Sequence, residues 1–184
     1  MGEPLMNYKN TIAAIQKITS PEGLGMSPKR ITVSTSGVTK IIREMADQKP
    51  KFKLAVSLHS AIEQTRNKLM PFTKKFPLDK LLESLQYWYA QTKSRVTFEY
   101  VVWAGINDQQ EDVDALVAYC KKVPSKVNLI EYNAIGDDDF VQASPEAISK
   151  YTSELERHRI PVTVRRSRGK DIDAACGQLA NKES

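Results

Sequence analysis

The sequence predicts an α/β fold: a partial (β/α) barrel built on a parallel sheet. Five segments rich in β-branched and apolar residues alternate with amphipathic segments along the 184 residues. Nearly continuous apolar runs of this kind are typical of parallel strands that helices cover. A closed eight-stranded barrel needs about 250 residues, so we expect only part of one. An open doubly wound sheet is the rival, but no G-x-G-x-x-G follows a strand.

Each strand and helix is predicted from its local residue pattern. The predicted strands are the β-branched segments 30–35, 53–59, 95–103, 126–133 and 160–167. Helices are predicted where apolar side chains recur every three or four residues: after Asn7, from Val38, around 61–68, from Leu78, from Val113 and from Ile148. The expected helix starts are Asn7, Asp108 with Glu111, and Ser144 before Pro145.

Composition excludes several classes of protein. Two cysteines, Cys120 and Cys176, are too few for a disulfide framework or a four-cysteine metal site. No apolar run approaches the roughly 18 residues that span a bilayer. The first ten residues lack the pattern of a signal peptide, so we expect a cytoplasmic protein with no membrane partner. The net charge of +5 is mild, but residues 157–170 are strongly basic, which suits either phosphate contacts or a solvated surface.

Polar side chains gather where the predicted strands end. In parallel α/β folds these carboxyl ends form one rim, where ligands bind. The rim residues are Ser34, Thr35, Ser36, Ser57, His59, Glu131, Asn133, Arg165, Arg166 and Ser167, and Glu99 joins them if its side chain points inward. Any one of these serines is also a common cap, and His59 suits a core position as well as a ligand contact. Together their hydroxyl, amide and imidazole groups suit a polar cofactor better than a hard metal ion.

Six stretches of the chain resemble one family. They are MGEPLMNYKN, SPEGLGMSPKRITVSTSG, LAVSLH, VTFEYV, VNLIEYN and VRRSRGKDIDAACGQLA. In this order they resemble the radical S-adenosylmethionine enzymes that methylate C2 of adenine in 23S ribosomal RNA and in transfer RNA. The resemblance runs along essentially the whole chain, and its tail is the most specific part. It implies that residues 1–184 form a partial barrel of the radical S-adenosylmethionine type, truncated at its amino end.

The resemblance implies that residues at the strand ends hold S-adenosylmethionine. The matching positions are Gly2, Glu3, Ser34, Ser57, Leu58, His59 and Asn133. Gly2 and Glu3 belong to a Gly-Glu-Pro turn that holds the methionine moiety, where a carboxylate can bind an ammonium group by charge-assisted hydrogen bonds. In many relatives proline follows the asparagine, whereas Ala134 follows Asn133 here.

Cys176 matches the family's methyl-carrying cysteine, within a catalytic-cysteine loop and tail at residues 167–184. Because C2 of adenine is not nucleophilic, the family first methylates the cysteine sulfur, which requires a thiolate. A deoxyadenosyl radical then takes a hydrogen from the S-methyl group, and the carbon radical adds to the base. Basic residues that suit both the thiolate and RNA phosphates are Arg165, Arg166, Arg168 and Lys170. Cys120 lies on an apolar helix stripe, where core packing is expected.

The family also uses a [4Fe–4S] cluster, which a C-x-x-x-C-x-x-C loop holds and an electron donor such as flavodoxin reduces. The two cysteines of this chain cannot supply those three ligands. We therefore expect the chain to be the carboxy-terminal part of such an enzyme and to be inactive alone. Two rival functions stay open: methylation of C8 of the same adenine by a related enzyme, and a non-catalytic RNA-binding module that uses the basic tail.

Overall fold

The computed structural model describes residues 2–133 and 140–165. In these ranges five strands form one parallel sheet: β1 Thr32–Thr35, β2 Lys53–Ser57, β3 Val96–Val101, β4 Ser125–Ile130 and β5 Val162–Arg165. The strands stand side by side in chain order. A doubly wound sheet would reverse its order at a switch point. The sequential order therefore confirms the predicted partial barrel over its rival.

Six helices of the described ranges lie where the apolar spacing predicts them. They are α1 Tyr8–Thr19, α2 Thr39–Asp47, α3 Glu63–Leu69, α4 Leu78–Thr92, α5 Gln110–Cys120 and α6 Pro145–Arg157. Short 3-10 segments occur at Pro4–Asn7, Pro28–Arg30 and Pro71–Lys75. Ser144 caps α6 as predicted, since its hydroxyl accepts from Ala147 N–H at 3.2 Å, whereas Asn7 makes no side-chain cap bond. None of the helices described is long and apolar enough to cross a bilayer.

The start of α5 differs from the prediction. Asp108 is not its N-cap; Gln109 is, and the side chains of Gln109 and Asp112 form a reciprocal capping box. The side chain of Asn107 closes the preceding turn by accepting from Trp103 N–H at 2.7 Å. The chain therefore enters the helix one residue later than the sequence pattern indicates.

The two faces of the sheet differ in chemistry because successive side chains point to opposite sides. The face toward the helices is apolar and buried, and it carries Val33, Leu54, Val56, Phe98, Tyr100, Val127 and Leu129. The other face is polar, and it carries Ser34, Ser57, Glu99, Asn128, Thr163 and Arg165. The Ser34 hydroxyl donates to Glu99 Oε2 at 2.5 Å, and the Thr163 hydroxyl donates to Asn128 Oδ1 at 3.0 Å. Glu99 therefore points to the same side as the strand-end residues.

Cys120 belongs to the core between the sheet and α5. The residue is 4% exposed, and burial raises the pKa of its thiol to about 12. A thiol of that pKa is not ionised near neutral pH and is a poor nucleophile. The expectation that Cys120 serves packing is confirmed.

Candidate functional site

A cleft of about 680 Å³ opens at the carboxyl ends of β1 and β2. Its walls are the turn at residues 2–4, the polar ends of the two strands, and residues 70–72. Five of the seven residues predicted to hold a cofactor line it: Gly2, Glu3, Ser34, Ser57 and His59. The carboxyl ends of the strands thus bring together residues that lie up to 57 positions apart in the chain.

Glu3 fastens the turn at residues 2–4 to the end of β1. Its Oε1 accepts from Leu5 N–H at 3.0 Å and from the Thr35 hydroxyl at 2.7 Å. Its Oε2 accepts from the N–H and the hydroxyl of Ser36, at 2.7 and 2.6 Å. An ionised carboxylate has about four acceptor positions, so donors of this chain fill all of them. A cationic ligand must therefore displace one donor, and the two hydroxyls are free to rotate away.

A buried cation supports this arrangement from α3. Arg66 is fully buried, and its guanidinium donates from Nη2 to the Ser36 carbonyl at 2.7 Å and from Nη1 to the Phe76 carbonyl at 3.3 Å. Within the described residues its Nε has no hydrogen-bond partner and its charge has no ion-pair partner. Burying a charge without a counter-ion is costly, so the hydrogen bonds to these two carbonyls are needed to hold it.

Gly37 makes room for that guanidinium. Its backbone has a φ of +106°, which side-chain-bearing residues rarely adopt. A Cβ at this position would lie 3.1 Å from a methyl of Leu81 and 3.4 Å from Arg66 Nη2. Both the backbone conformation and the close approach therefore require glycine directly after Ser36.

His59 presents a neutral imidazole to the cleft. Its φ of +55° ends β2 and turns the side chain. Its Nδ1 accepts from Val101 N–H at 3.1 Å, which leaves the proton on Nε2. Burial, and secondly the positive charge of Arg66, lower the pKa of His59 to about 4. At neutral pH His59 therefore offers a hydrogen-bond donor without a charge.

Asn107 holds the peptide that carries His59. It is fully buried, and its Nδ2 donates to the carbonyls of His59 at 2.6 Å and Val101 at 2.9 Å. Its Oδ1 accepts from Trp103 N–H, and the indole of Trp103 packs edge-on against the imidazole with ring centroids 5.6 Å apart. The backbone and the ring of His59 are thus both held before any ligand binds.

The two serines at the strand ends differ in what they can offer. The Ser34 hydroxyl already donates to Glu99, a neighbour of Ser57 in the β2–β3 register. The Ser57 hydroxyl makes no hydrogen bond in the part of the chain that the structure describes, although it lines the cleft. Ser57 is therefore the hydroxyl that is ready for a ligand, whereas Ser34 must first leave its carboxylate partner or act as an acceptor.

The remaining predicted site residues lie elsewhere. Leu58, directly after β2, is fully buried, and its N–H donates to the Glu99 carbonyl at 2.9 Å. Asn133 is 7% exposed after β4 and does not line the cleft. Arg165 ends β5 and is exposed. Arg166, Arg168, Lys170 and Cys176, with the predicted loop and tail at 167–184, lie outside the described residues.

The donor set indicates the class of ligand. In residues 2–133 and 140–165, no three His, Cys, Asp or Glu side chains gather as metal ligands would. The cleft instead offers hydroxyls, one imidazole N–H, one carboxylate and the apolar segment Met70, Pro71 and Phe72. A polar organic molecule with a cationic group and an apolar part fits this set.

Several contributors were not predicted. Arg66 and Asn107 carry no sequence signal, because the groups that accept their hydrogen bonds are backbone carbonyls 6 to 48 residues away. The wall at residues 70–72 follows a helix that the apolar pattern predicts only loosely. Thr35 and Ser36 are among the predicted rim residues, but their role as donors to Glu3 depends on a contact across 32 and 33 positions.

Comparisons with known proteins indicate the family of the whole chain. No protein-family model matches the chain. The chain is 71% identical over 183 residues to the probable dual-specificity RNA methyltransferase RlmN of Flavobacterium psychrophilum, and 41% identical over 183 residues to that of Geobacillus kaustophilus. Each alignment takes in 100% of this chain but 53% and 50% of the relative. The chain thus spans about half the length of the curated relatives it matches.

Solved structures give the same result. A radical SAM methyltransferase from Sphaerobacter thermophilus superposes with a TM-score of 0.92 at 38% identity, over 97% of this chain and 52% of that one. A domain of pyruvate-formate lyase-activating enzyme from Bacteroides vulgatus superposes with a TM-score of 0.68 at 14% identity over 90% of this chain, which shows the fold alone. The chain therefore belongs to the radical S-adenosylmethionine methyltransferase family, as a part that spans about half of its relatives' length.

Proposed function

We propose that this chain forms the S-adenosylmethionine-binding part of a cytoplasmic enzyme that methylates C2 of adenine in 23S ribosomal RNA and in transfer RNA, with Cys176 as the methyl carrier. The observation that carries the proposal is the convergence of Gly2, Glu3, Ser34, Ser57 and His59 on one cleft. The names of relatives up to 71% identical support the substrate class. The rim geometry alone would support only the binding of a polar organic cofactor.

Different residues of the cleft are assigned to different parts of the proposed cofactor. Glu3 would accept the ammonium group of the methionine moiety in place of the hydroxyl donor of Thr35 or Ser36, and would keep the N–H donors of Leu5 and Ser36. Such an exchange is favourable because an ammonium–carboxylate hydrogen bond is stronger than a neutral one. We assign polar atoms of the cofactor to the Ser57 hydroxyl and to His59 Nε2–H.

The apolar part of the cleft completes the assignment. Met70, Pro71 and Phe72 also line the cleft, and the Phe72 ring packs against Phe76 with centroids 5.3 Å apart. Phe72 is 38% exposed, which leaves ring surface for a ligand. We assign the adenine of the cofactor to this wall, because flat aromatic ligands pack favourably on such side chains.

This chain supplies residues for cofactor binding and for carrying the methyl group, but not the ligands of an iron–sulfur cluster. Bound S-adenosylmethionine would supply a transferable methyl group and the source of a 5′-deoxyadenosyl radical. Glu3, Ser57 and His59 would bind and orient it, and the Cys176 thiolate would accept its methyl group by displacement, with S-adenosylhomocysteine as the leaving group. The two cysteines of the chain do not fit a [4Fe–4S] site, which takes three at the family spacing. We therefore assign no step to the cluster or to its electron donor, for example flavodoxin.

The role of Cys176 is tested by Cys176→Ala in the longer protein that contains this chain, expressed in cells whose own enzyme is deleted. We expect C2-methyladenine to disappear from 23S rRNA and tRNA, as read by mass spectrometry. Cys120→Ala is the matched control, and methylation should persist because Cys120 is buried in the core. Unchanged methylation in Cys176→Ala would contradict the proposal, and so would a methyl group found at C8.

The cofactor site is tested separately by calorimetric binding of S-adenosylmethionine to the chain. We expect Glu3→Gln to weaken binding roughly 10- to 100-fold, because a hydrogen bond to a charged group contributes about 1.5–3 kcal/mol. Glu22→Gln, an exposed carboxylate outside the cleft, is the control and should bind like the unmodified chain. Equal affinities for the Glu3 and Glu22 variants would contradict the assignment.

A further inference from the structure

A second groove of about 430 Å³ lies at the opposite end of the sheet. Five lysines line it: Lys29, Lys49, Lys51, Lys53 and Lys93. Lys53 opens β2 and Ser57 ends it, so the groove and the cleft are separated by about 13 Å along that strand alone. We call this feature the lysine groove.

The charges of the lysine groove are not neutralised by the protein. All five lysines are exposed, and none takes part in the three ion pairs of the described residues, which involve Lys40, Lys80 and Arg157. The segments that carry them, 28–30, 48–53 and 91–95, contain no Asp or Glu and add Arg30 and Arg95. The groove is therefore a concentrated positive patch.

Helix dipoles account for only part of this pattern. Cations are favoured at helix C-termini, where backbone carbonyls carry partial negative charge. Lys49 and Lys93 follow α2 and α4 in left-handed conformations with φ of 46° and 55°, and this effect explains them. Lys29 lies in a 3-10 segment and Lys51 in a loop, and Lys53 opens a strand. A helix terminus therefore does not account for Lys51 or Lys53, and at Lys29 it is only that of a three-residue 3-10 segment.

The surface chemistry fits a phosphate backbone better than a protein or a membrane. Of the described residues that line the groove, Phe52 alone is aromatic, and it is 5% exposed, so this part of the chain presents no aromatic anchor there. Protein interfaces are depleted in lysine and depend on such anchors, and membrane-surface helices need an apolar face. Lysine is a common point-charge ligand for phosphate.

We propose that the lysine groove binds the phosphate backbone of the RNA, at a distance from the base that is modified at the cleft. This inference rests on the proposed function for its RNA substrate, and it adds a second contact region that is independent of the basic tail. It implies a sequence-independent, salt-sensitive contribution to affinity. An RNA that contacts both ends of the sheet must span at least the length of β2, about 13 Å, as a folded hairpin or larger domain does.

The test compares two triple variants of the 184-residue chain in binding a fluorescein-labelled RNA hairpin. Lys49→Gln/Lys51→Gln/Lys93→Gln removes three groove charges, and Lys9→Gln/Lys17→Gln/Lys80→Gln removes three exposed charges elsewhere. The logarithm of the binding constant falls with the logarithm of the salt concentration, with a slope of about 0.7–0.9 for each phosphate contact. Losing three contacts should therefore reduce this slope by about 2–2.7. Between about 50 and 200 mM salt, the unmodified chain should therefore lose 20- to 40-fold more affinity than the groove variant.

Each outcome bears on the proposal. A groove variant with the salt slope of the control variant would overturn it, as would an unmodified chain that does not bind the hairpin. Unchanged RNA binding with lost binding of an acidic protein would identify the groove as a protein contact instead. Thermal unfolding of both variants checks that they are folded. Failure of the proposed function is distinguishable, because it appears as retained methylation in Cys176→Ala and not as a change in salt slope.

Discussion

The two ends of the sheet use polar groups in opposite ways. At the carboxyl end, the acceptors of Glu3 are filled, Arg66 donates to two carbonyls, and Asn107 holds the His59 peptide. At the amino end, the lysine groove presents exposed charges that have no ion-pair partner among the described residues. The first end is organised in advance for one ligand geometry, and the second suits a long polyanion of any sequence.

This contrast has an energetic meaning. Holding donors and acceptors in place before a ligand binds reduces the stability of the unliganded protein, for example through the buried charge of Arg66. An electrostatic groove accepts no such cost, because its side chains remain hydrated until a polyanion arrives. Substitutions at the cleft should therefore reduce stability, whereas substitutions in the groove should reduce only affinity.

The largest effect is expected for Arg66→Ala. The change empties a fully buried position and leaves the carbonyls of Ser36 and Phe76 without their donor, so we expect a loss of about 3–5 kcal/mol in the free energy of unfolding. Urea denaturation measures it. Lys51→Ala in the lysine groove is the matched cation and should change stability by less than about 0.5 kcal/mol. Comparable losses for both would remove the distinction between the two ends.

Arg66→Met tests the charge of Arg66 through the pKa of His59, which a loss of packing alone would not change. The charge of Arg66 helps to lower the pKa of His59. Removing that charge should raise the His59 pKa toward its ordinary value, while burial keeps it below that value. Titration by NMR of the imidazole carbon-bound protons follows the change. A folded Arg66→Met variant with an unaltered His59 pKa would show that the guanidinium acts through packing alone.

A smaller but clear loss is expected for Asn107→Ala. Its side chain makes three hydrogen bonds to backbone groups of His59, Val101 and Trp103, and leaving these groups unpaired should destabilise the protein by about 2–4 kcal/mol. Asn128→Ala is the control, because Asn128 is a partly exposed residue that accepts from one threonine. An equal loss in the two variants would show that the His59 peptide needs no such support.

The pH dependence of stability should show the neutral state of His59. Its pKa is about 4 in the folded protein, below the ordinary value of 6.5. Between these values the unfolded chain binds a proton that the folded chain does not, so stability is complete above pH 6.5 and is lost as the pH falls toward 4. The loss from this residue is at most about 3.4 kcal/mol, at about 1.36 kcal/mol for each unit of pKa. His59→Gln should lack it, and His158→Gln should keep it; identical pH profiles for all three proteins would contradict a neutral His59.

The sequence predicted the architecture well because the strands are buried on one face. β-branched, apolar segments such as 53–59 have few alternatives to a covered strand, and the carboxyl-end rule then placed Ser57 and His59 in the cleft. The predicted strands extend too far where a residue leaves the backbone hydrogen-bond pattern of the sheet. His59 takes a φ of +55°, so β2 stops at Ser57.

The interior of the site was beyond sequence reasoning. Three of the four donors to Glu3 come from Thr35 and Ser36, more than 30 positions away. The role of Arg66 depends on carbonyl directions, which any residue type can provide. The residue types therefore predicted which polar groups lie at the strand ends, but not which hydrogen bonds those groups already make with one another.

The central claim is that S-adenosylmethionine binds at the carboxyl end of the sheet and not in the lysine groove. Titration of the isotope-labelled chain with S-adenosylmethionine, followed by amide NMR shifts, tests it directly. We predict shifts at Gly2, Glu3, Ser36, Ser57 and His59, with those of Lys49, Lys51 and Lys93 unchanged. Shifts centred on the lysine groove, or no shifts at Glu3 and His59 at saturating ligand, would contradict the claim.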